Sequence, residues 1–144
     1  APETEPIIRD DIPLAPELQQ ALYDAAQYAG IPYTLALAVV HQESGYRNVT
    51  GDGGESYGYM QIQEKWHKDR MQKLGVDDLM EPYSNFLVGC TLLGDLLCNN
   101  DGDIHMALMA YNMGQAGAER TGKSESAYSR AVVQYMEDLE NGTL

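Results

Sequence analysis

A chain of 144 residues, 44% hydrophobic and 22% charged, is long enough for one core and too short for two domains of ordinary size. Nine Lys and Arg against twenty-two Asp and Glu give a net charge of −13, which repels phosphate polymers and argues against nucleic acid as a partner. No run reaches the roughly 18 consecutive apolar residues of a membrane span, and the first residues lack the basic start and apolar stretch of a signal peptide.

Residues 1–14, APETEPIIRDDIPL, combine three prolines with four carboxylates and no apolar period, which predicts a linker or an extended arm ahead of a domain over 15–144. Pro16 suits the first turn of a helix whose stripe is Leu18, Ala21, Leu22, Ala25 and Ala29, and Gly30 suits its stop. Pro32 opens a second helix over 33–44. Its run from Leu35 to Val40 is apolar all round, so it is expected inside the core.

The stretch 45–62 is rich in Gly and polar residues and predicts loops with room for a short hairpin. Helices are expected over 64–74, stopping at Gly75, and over 83–98, following Pro82. Residues 103–113 place Ile104, Ala107, Leu108 and Tyr111 at i, i+3, i+4 and i+7, and the last helix, over 124–140, carries Tyr128, Ala131, Val132, Tyr135, Met136 and Leu139. The fold class is all-α, or mostly α with a small β element, in five to seven helices.

Cys90 and Cys98 lie eight apart, a rise of about 12 Å along a helix, beyond the reach of a disulfide; two buried, reduced thiols are expected. His41, His67 and His105 lack zinc-ligand spacing, Asp101 to Asp103 lacks the rest of a calcium loop and suits a helix N-cap, and no phosphate-binding glycine motif occurs. Neither metal nor cofactor is expected. Ten tyrosines against one Trp and one Phe are half-buried helix residues for the most part, though Tyr also suits a wet groove for sugars.

Glu43 stands out. It ends an apolar helix, where desolvation and the negative end of the helix dipole both favour the neutral acid, the state a general acid for glycoside cleavage requires. A solvent-facing residue at the helix end is the alternative. Residues 41–46 read HQESGY, Gly58 to Ile62 follow as GYMQI fifteen residues after the Glu, and 107–114 read ALMAYNMG. Residues 81–89, EPYSNFLVG, and the segment SAYSRAV from Ser126 complete an ordered set.

This set resembles the lytic transglycosylases of the goose-type lysozyme superfamily, over about residues 17–136. The resemblance implies a lysozyme-like fold and a peptidoglycan glycan strand as partner. Glu43 would be the sole acid and base, protonating the oxygen between N-acetylmuramic acid and N-acetylglucosamine and then taking the proton of the muramyl 6-hydroxyl. Tyr111 would donate its hydroxyl near Glu43, and Tyr128 would line the cleft there. Gln61 and Asn112 would bind N-acetyl and hydroxyl groups, and Ser44 and Ser56 would bond the Glu or the sugar.

Met60 would pack beneath a sugar ring, with core filling as the alternative. Tyr59 replaces the family's usual Leu, and Met113 its usual Ala, and both are expected along the groove. The acidic charge is a further departure from the many basic wall-degrading lysozymes. Asp52 and Glu55 are the nearby carboxylates. They are read as a solvated turn, but if either faced Glu43 a hydrolytic muramidase would become the better reading. A glycan-binding module without catalysis is the rival from another class. The substrate implies an extracytoplasmic location, and a monomer is expected.

Overall fold

The computed structural model describes residues 8–144. Helix α1 spans Pro16–Ala29, with Pro16 in its first turn, and ends where Gly30 turns left-handed at φ 73°. Its face of Leu22, Ala25 and Ala26 is buried, and so is Gln19. The Gln19 amide explains this burial: Nε2 donates to the carbonyls of Arg9 and Leu14, and Oε1 accepts from the Arg9 amide. Residues 9–14 are thereby fastened to α1, and Ile12 and Leu14 enter the core. The predicted segment 1–7 lies outside the described residues.

Helix α2, Tyr33–Ser44, is the axis of the molecule: every residue from Leu35 to Val40 is at most 1% exposed. Gly45 ends it at φ 62°. The next eighteen residues fold as a small antiparallel hairpin, β1 (Thr50–Gly51) and β2 (Ser56–Tyr57), joined by a 3-10 turn over Asp52–Gly54. Tyr57 also bridges to Ile62, closing a tight second turn.

The helix expected over 64–74 is divided. Glu64–Trp66 forms a 3-10 turn, His67 breaks the geometry at φ −131°, and α3 covers Lys68–Leu74. The physical reason is that the first turn offers no apolar face to the core; its one large apolar residue, Trp66, is 72% exposed. Helix α4, Pro82–Asn99, begins where the Glu81 carboxylate accepts from the amides of Tyr83 and Ser84. Helix α5, Ile104–Met113, is capped by Asp103, whose carboxylate accepts from the Met106 amide.

Helix α6, Gln115–Thr121, has no counterpart in the sequence reading. It is seven residues long, carries two small residues and a glycine, and buries only Ala118, so it has no apolar period to detect. Helix α7, Ala127–Asn141, starts three residues later than expected because Ser126 and Ser129 form a reciprocal capping box. Ala131, placed on its apolar stripe by spacing, is exposed.

Helix α1 packs mainly on α4, α2 on α7, and α5 on α4, α6 and α7. The result is a mostly helical fold with one two-stranded element beside the end of α2. No helix among the described residues is long and apolar enough to cross a membrane. The cysteines differ from expectation in one respect: both are free and Cys90 is buried, but Cys98 is exposed, because it falls on the outer face of the last turns of α4.

Candidate active site

Glu43 is the penultimate residue of α2, so its position is set by the most deeply buried helix in the molecule. Its side chain lines a cavity of about 610 Å³. Asp52 and Ser56 of the hairpin, Gln61 and Trp66 of the following segment, Leu92 and Leu96 of α4, and the α5–α6 junction from Ala110 to Gln115 form the other walls. The cavity is therefore bounded by four separate stretches of chain around a single half-buried carboxyl group.

Burial raises the Glu43 pKa above the ordinary carboxylate value, and the nearby Asp52 charge adds to the rise. One interaction works the other way: Tyr128 Oη donates to Glu43 Oε2 at 2.6 Å and favours the ionised form. Tyr128 itself is held far above the usual phenol range by desolvation and by the Glu43 carboxylate, so it remains a donor at any working pH. A carboxyl balanced in this way, raised by burial and tempered by the Tyr128 hydrogen bond, is suited to both releasing and recovering a proton.

Tyr111 lines the cavity, but its hydroxyl is directed elsewhere than the sequence reading expects: Oη donates to the Met60 carbonyl at 2.7 Å. The ring is close enough to Glu43 for the carboxylate to oppose phenol ionisation. Asn112 is exposed in the cavity wall, and Met113, 39% exposed, stands beside it.

The turn 58–61 decides the rest. Gly58 adopts φ 77° and Gln61 φ 53°, and between these reversals Tyr59 and Met60 point inward. A Cβ at Gly58 would collide with the Asn85 side chain and the Leu79 carbonyl, which only glycine allows to approach this closely. Asn85, wholly buried on α4, fastens the turn by accepting from the Met60 amide at 2.8 Å and donating to the carbonyls of Tyr57 and Leu79.

Tyr59, expected along the groove, is instead 7% exposed and packs on Phe86 at a ring distance of 5.2 Å. Met60 is fully buried beneath Gly89 of α4, where a Cβ would meet its sulfur and methyl group; it fills core rather than underlying a sugar. Ser44 is also turned away from the cavity. Its hydroxyl donates to the Val40 carbonyl and accepts from the Arg47 amide, closing the end of α2.

Gln61 faces the cavity, yet its Nε2 donates to the carbonyls of Val49 and Gly58 at 2.9 Å each. Both amide protons thus hold the turn to the hairpin, leaving its carbonyl oxygen as the free function. Ser56, 1% exposed, donates to Asp52 Oδ2 at 2.6 Å and accepts from Gln63 Nε2. That bond aims Asp52, whose own backbone sits at φ 51°, so the Asp52 carboxylate shares the cavity with Glu43. Glu55 does not; it pairs with Lys65 at 3.0 Å outside.

Trp66, His67, Leu92, Leu96 and Gln115 line the cavity without having been singled out from sequence. Trp66 had the clearest signal, as the sole Trp in a polar stretch with no apolar period. No group of three His, Cys, Asp or Glu side chains among the described residues forms a metal site.

A family model for the transglycosylase SLT domain matches residues 20–134 of the chain. Among solved structures, an inactive mutant of the lytic transglycosylase Slt from Pseudomonas aeruginosa matches with a TM-score of 0.73 at 19% sequence identity. The match covers 87% of this chain and 24% of that one, so the chain spans about a quarter of that protein's length. At this identity the likeness concerns the fold.

Proposed function

The chain belongs to the transglycosylase SLT domain family, and from that premise we propose that it is a peptidoglycan lytic transglycosylase with Glu43 as its single acid and base. The observation that carries the proposal is the half-buried Glu43 carboxyl, raised in pKa by burial, in the wall of a cavity of about 610 Å³.

In the first step Glu43 donates its proton to the oxygen bridging N-acetylmuramic acid and N-acetylglucosamine, and the bond from that oxygen to the muramyl anomeric carbon breaks. The carboxylate then takes the proton of the muramyl 6-hydroxyl while its oxygen bonds to the same carbon. Glu43 ends reprotonated, no water is consumed, and the product carries a 1,6-anhydro ring. Tyr128 steadies the carboxylate between the two steps through its 2.6 Å hydrogen bond. Asn112 and the free Gln61 oxygen supply hydrogen bonds to the sugar, with Tyr111 and Ser56 fixing the turn and the hairpin that carry the walls. Peptidoglycan as substrate puts the site of action outside the cytoplasmic membrane.

Mass spectrometry of digested cell-wall sacculi tests this. The expected muramyl ends are lighter by one water than hydrolytic ends, and Glu43→Gln removes the activity while glycan binding persists. Hydrolytic ends, or full activity in that variant, overturn the mechanism. One observation favours a second reading. Asp52 lies in the same cavity, where a carboxylate could activate water for hydrolysis as in a muramidase; the mass of the ends separates the two.

A further inference from the structure

The hairpin that carries Asp52 has little of its own to hold its tip. Its ladder is two residue pairs long, and Asp52, Gly53 and Gly54 follow one another at φ 51°, 68° and 94°. The turn Glu64–Trp66 and the preceding Gln63 fasten it from outside. On the outer side Lys65 pairs with Glu55 at 3.0 Å and stands 5.5 Å from the Trp66 ring centre, an exposed contact of small worth.

On the cavity side runs a chain of three hydrogen bonds. Trp66 Nε1 donates to Gln63 Oε1 at 3.1 Å, Gln63 Nε2 donates to Ser56 Oγ at 3.2 Å, and Ser56 Oγ donates to Asp52 Oδ2 at 2.6 Å. All four residues line the Glu43 cavity. Chemistry fixes the direction of the chain at both ends. An indole N–H can only donate, so the Gln63 oxygen faces Trp66 and its amide protons face Ser56. With that Ser56 lone pair engaged, the single hydroxyl proton goes to Asp52, whose carboxylate can only accept. Were the Gln63 amide turned over, its oxygen would compete with Asp52 for the Ser56 proton.

Glu43 meets Tyr128 of α7 and shares its cavity with Tyr111 of α5, Asp52 of the hairpin and His67 ahead of α3. Burial holds both phenols far above their usual range, and burial with the Arg70 charge lowers the His67 pKa. Among these described neighbours Asp52 supplies the charge that Glu43 senses, and it adds to the rise in the Glu43 pKa. We propose that Trp66 and Gln63 are positioning residues of the Glu43 site, holding the Asp52 carboxylate at the cavity wall through Ser56. The proposal rests on the reading of Glu43 as the acid and base. It gives the exposed indole a role in setting the protonation of a carboxyl it does not touch.

The test follows the Glu43 side-chain carboxyl by carbon-13 NMR through a pH titration, its signal assigned by its loss in Glu43→Gln. Trp66→Phe keeps an aromatic ring at an exposed position and removes only the donor; Gln63→Met keeps the length and removes the amide. Each lowers the Glu43 midpoint by about 0.4 pH unit, and by no more than Asp52→Asn does. Placed in the Asp52→Asn background, neither moves it further, because the group they position is gone. Unchanged urea midpoints exclude a general loosening of the fold. An unmoved Glu43 midpoint in Trp66→Phe or in Asp52→Asn overturns the proposal, and so does an equal fall with and without Asp52. Failure of the wild type to release anhydro ends from sacculi sinks the proposed function alone, since the titration needs no turnover.

Discussion

Tyr128 and Glu43, eighty-five residues apart in the chain, meet at 2.6 Å with the phenol as donor and the carboxylate as acceptor. This contact opposes the burial that raises the Glu43 pKa, so the acid is held between two opposing effects rather than driven to one extreme.

Tyr128→Phe removes the donor and leaves the burial. The Glu43 pKa rises further, and because a general acid must be protonated, the alkaline limb of the pH–rate profile moves up. A hydrogen bond to a charged acceptor predicts a displacement of about one pH unit. An unmoved limb with reduced kcat would reduce Tyr128 to a packing residue.

Glu43→Gln gives a stability signature with a definite sign. The folded pKa of Glu43 is raised, so its contribution to stability is fully present below the ordinary carboxylate pKa and is lost as pH rises through the folded value. Gln cannot ionise and still offers Tyr128 an acceptor. Relative to the parent, the variant's Tm therefore climbs from acid toward neutral pH; thermal melts at several pH values measure the difference, and a flat difference contradicts the raised pKa.

Asp52→Asn removes the charge that helps hold Glu43 protonated. The alkaline limb moves down, by less than about one unit because Asp52 is solvent-exposed. On the transglycosylase mechanism kcat changes less than about tenfold and the ends remain anhydro. Loss of about a thousandfold would instead assign Asp52 to water activation.

Asn85→Ala deletes three hydrogen bonds from a side chain with no solvent access, leaving the Met60 amide and the carbonyls of Tyr57 and Leu79 to find other partners. A destabilisation of about 3–5 kcal/mol is expected from urea unfolding. Activity falls with it at temperatures where the protein stays folded, because the turn that carries Gln61 into the cavity is released. A loss under about 1 kcal/mol would mean the turn is held by other contacts.

How far the site was readable varies residue by residue. The position of Glu43 was legible because its signal is local: an apolar helix with a carboxyl at its end is visible in twelve consecutive residues, and the structure sets that carboxyl in the cavity wall. Tyr59 was expected along the groove and lies in the core, and Met60 takes the core-filling alternative, because two left-handed residues, Gly58 and Gln61, reverse the chain around them and their side chains follow. Gln61 kept its place in the wall but not its donors, which the carbonyls of Val49 and Gly58 occupy. Asp52 was read as a solvated turn and is exposed in one, but the Ser56 bond, which no local pattern announces, holds its carboxylate at the cavity wall.

The amino-acid order by itself determined the helices that carry Pro at one end, Gly at the other and an apolar stripe between, since propensity, capping and burial periodicity act within a few turns. It also determined that a carboxyl would stand at the end of the most apolar of them. Tertiary structure alone decided which groups surround that carboxyl. The Tyr128 hydroxyl reaches it because α7 packs on α2, and the Tyr111 hydroxyl reaches Met60, fifty-one residues away, because α5 packs on α4 over the same turn. Contacts of that separation depend on how elements are stacked, and no window of sequence contains both partners.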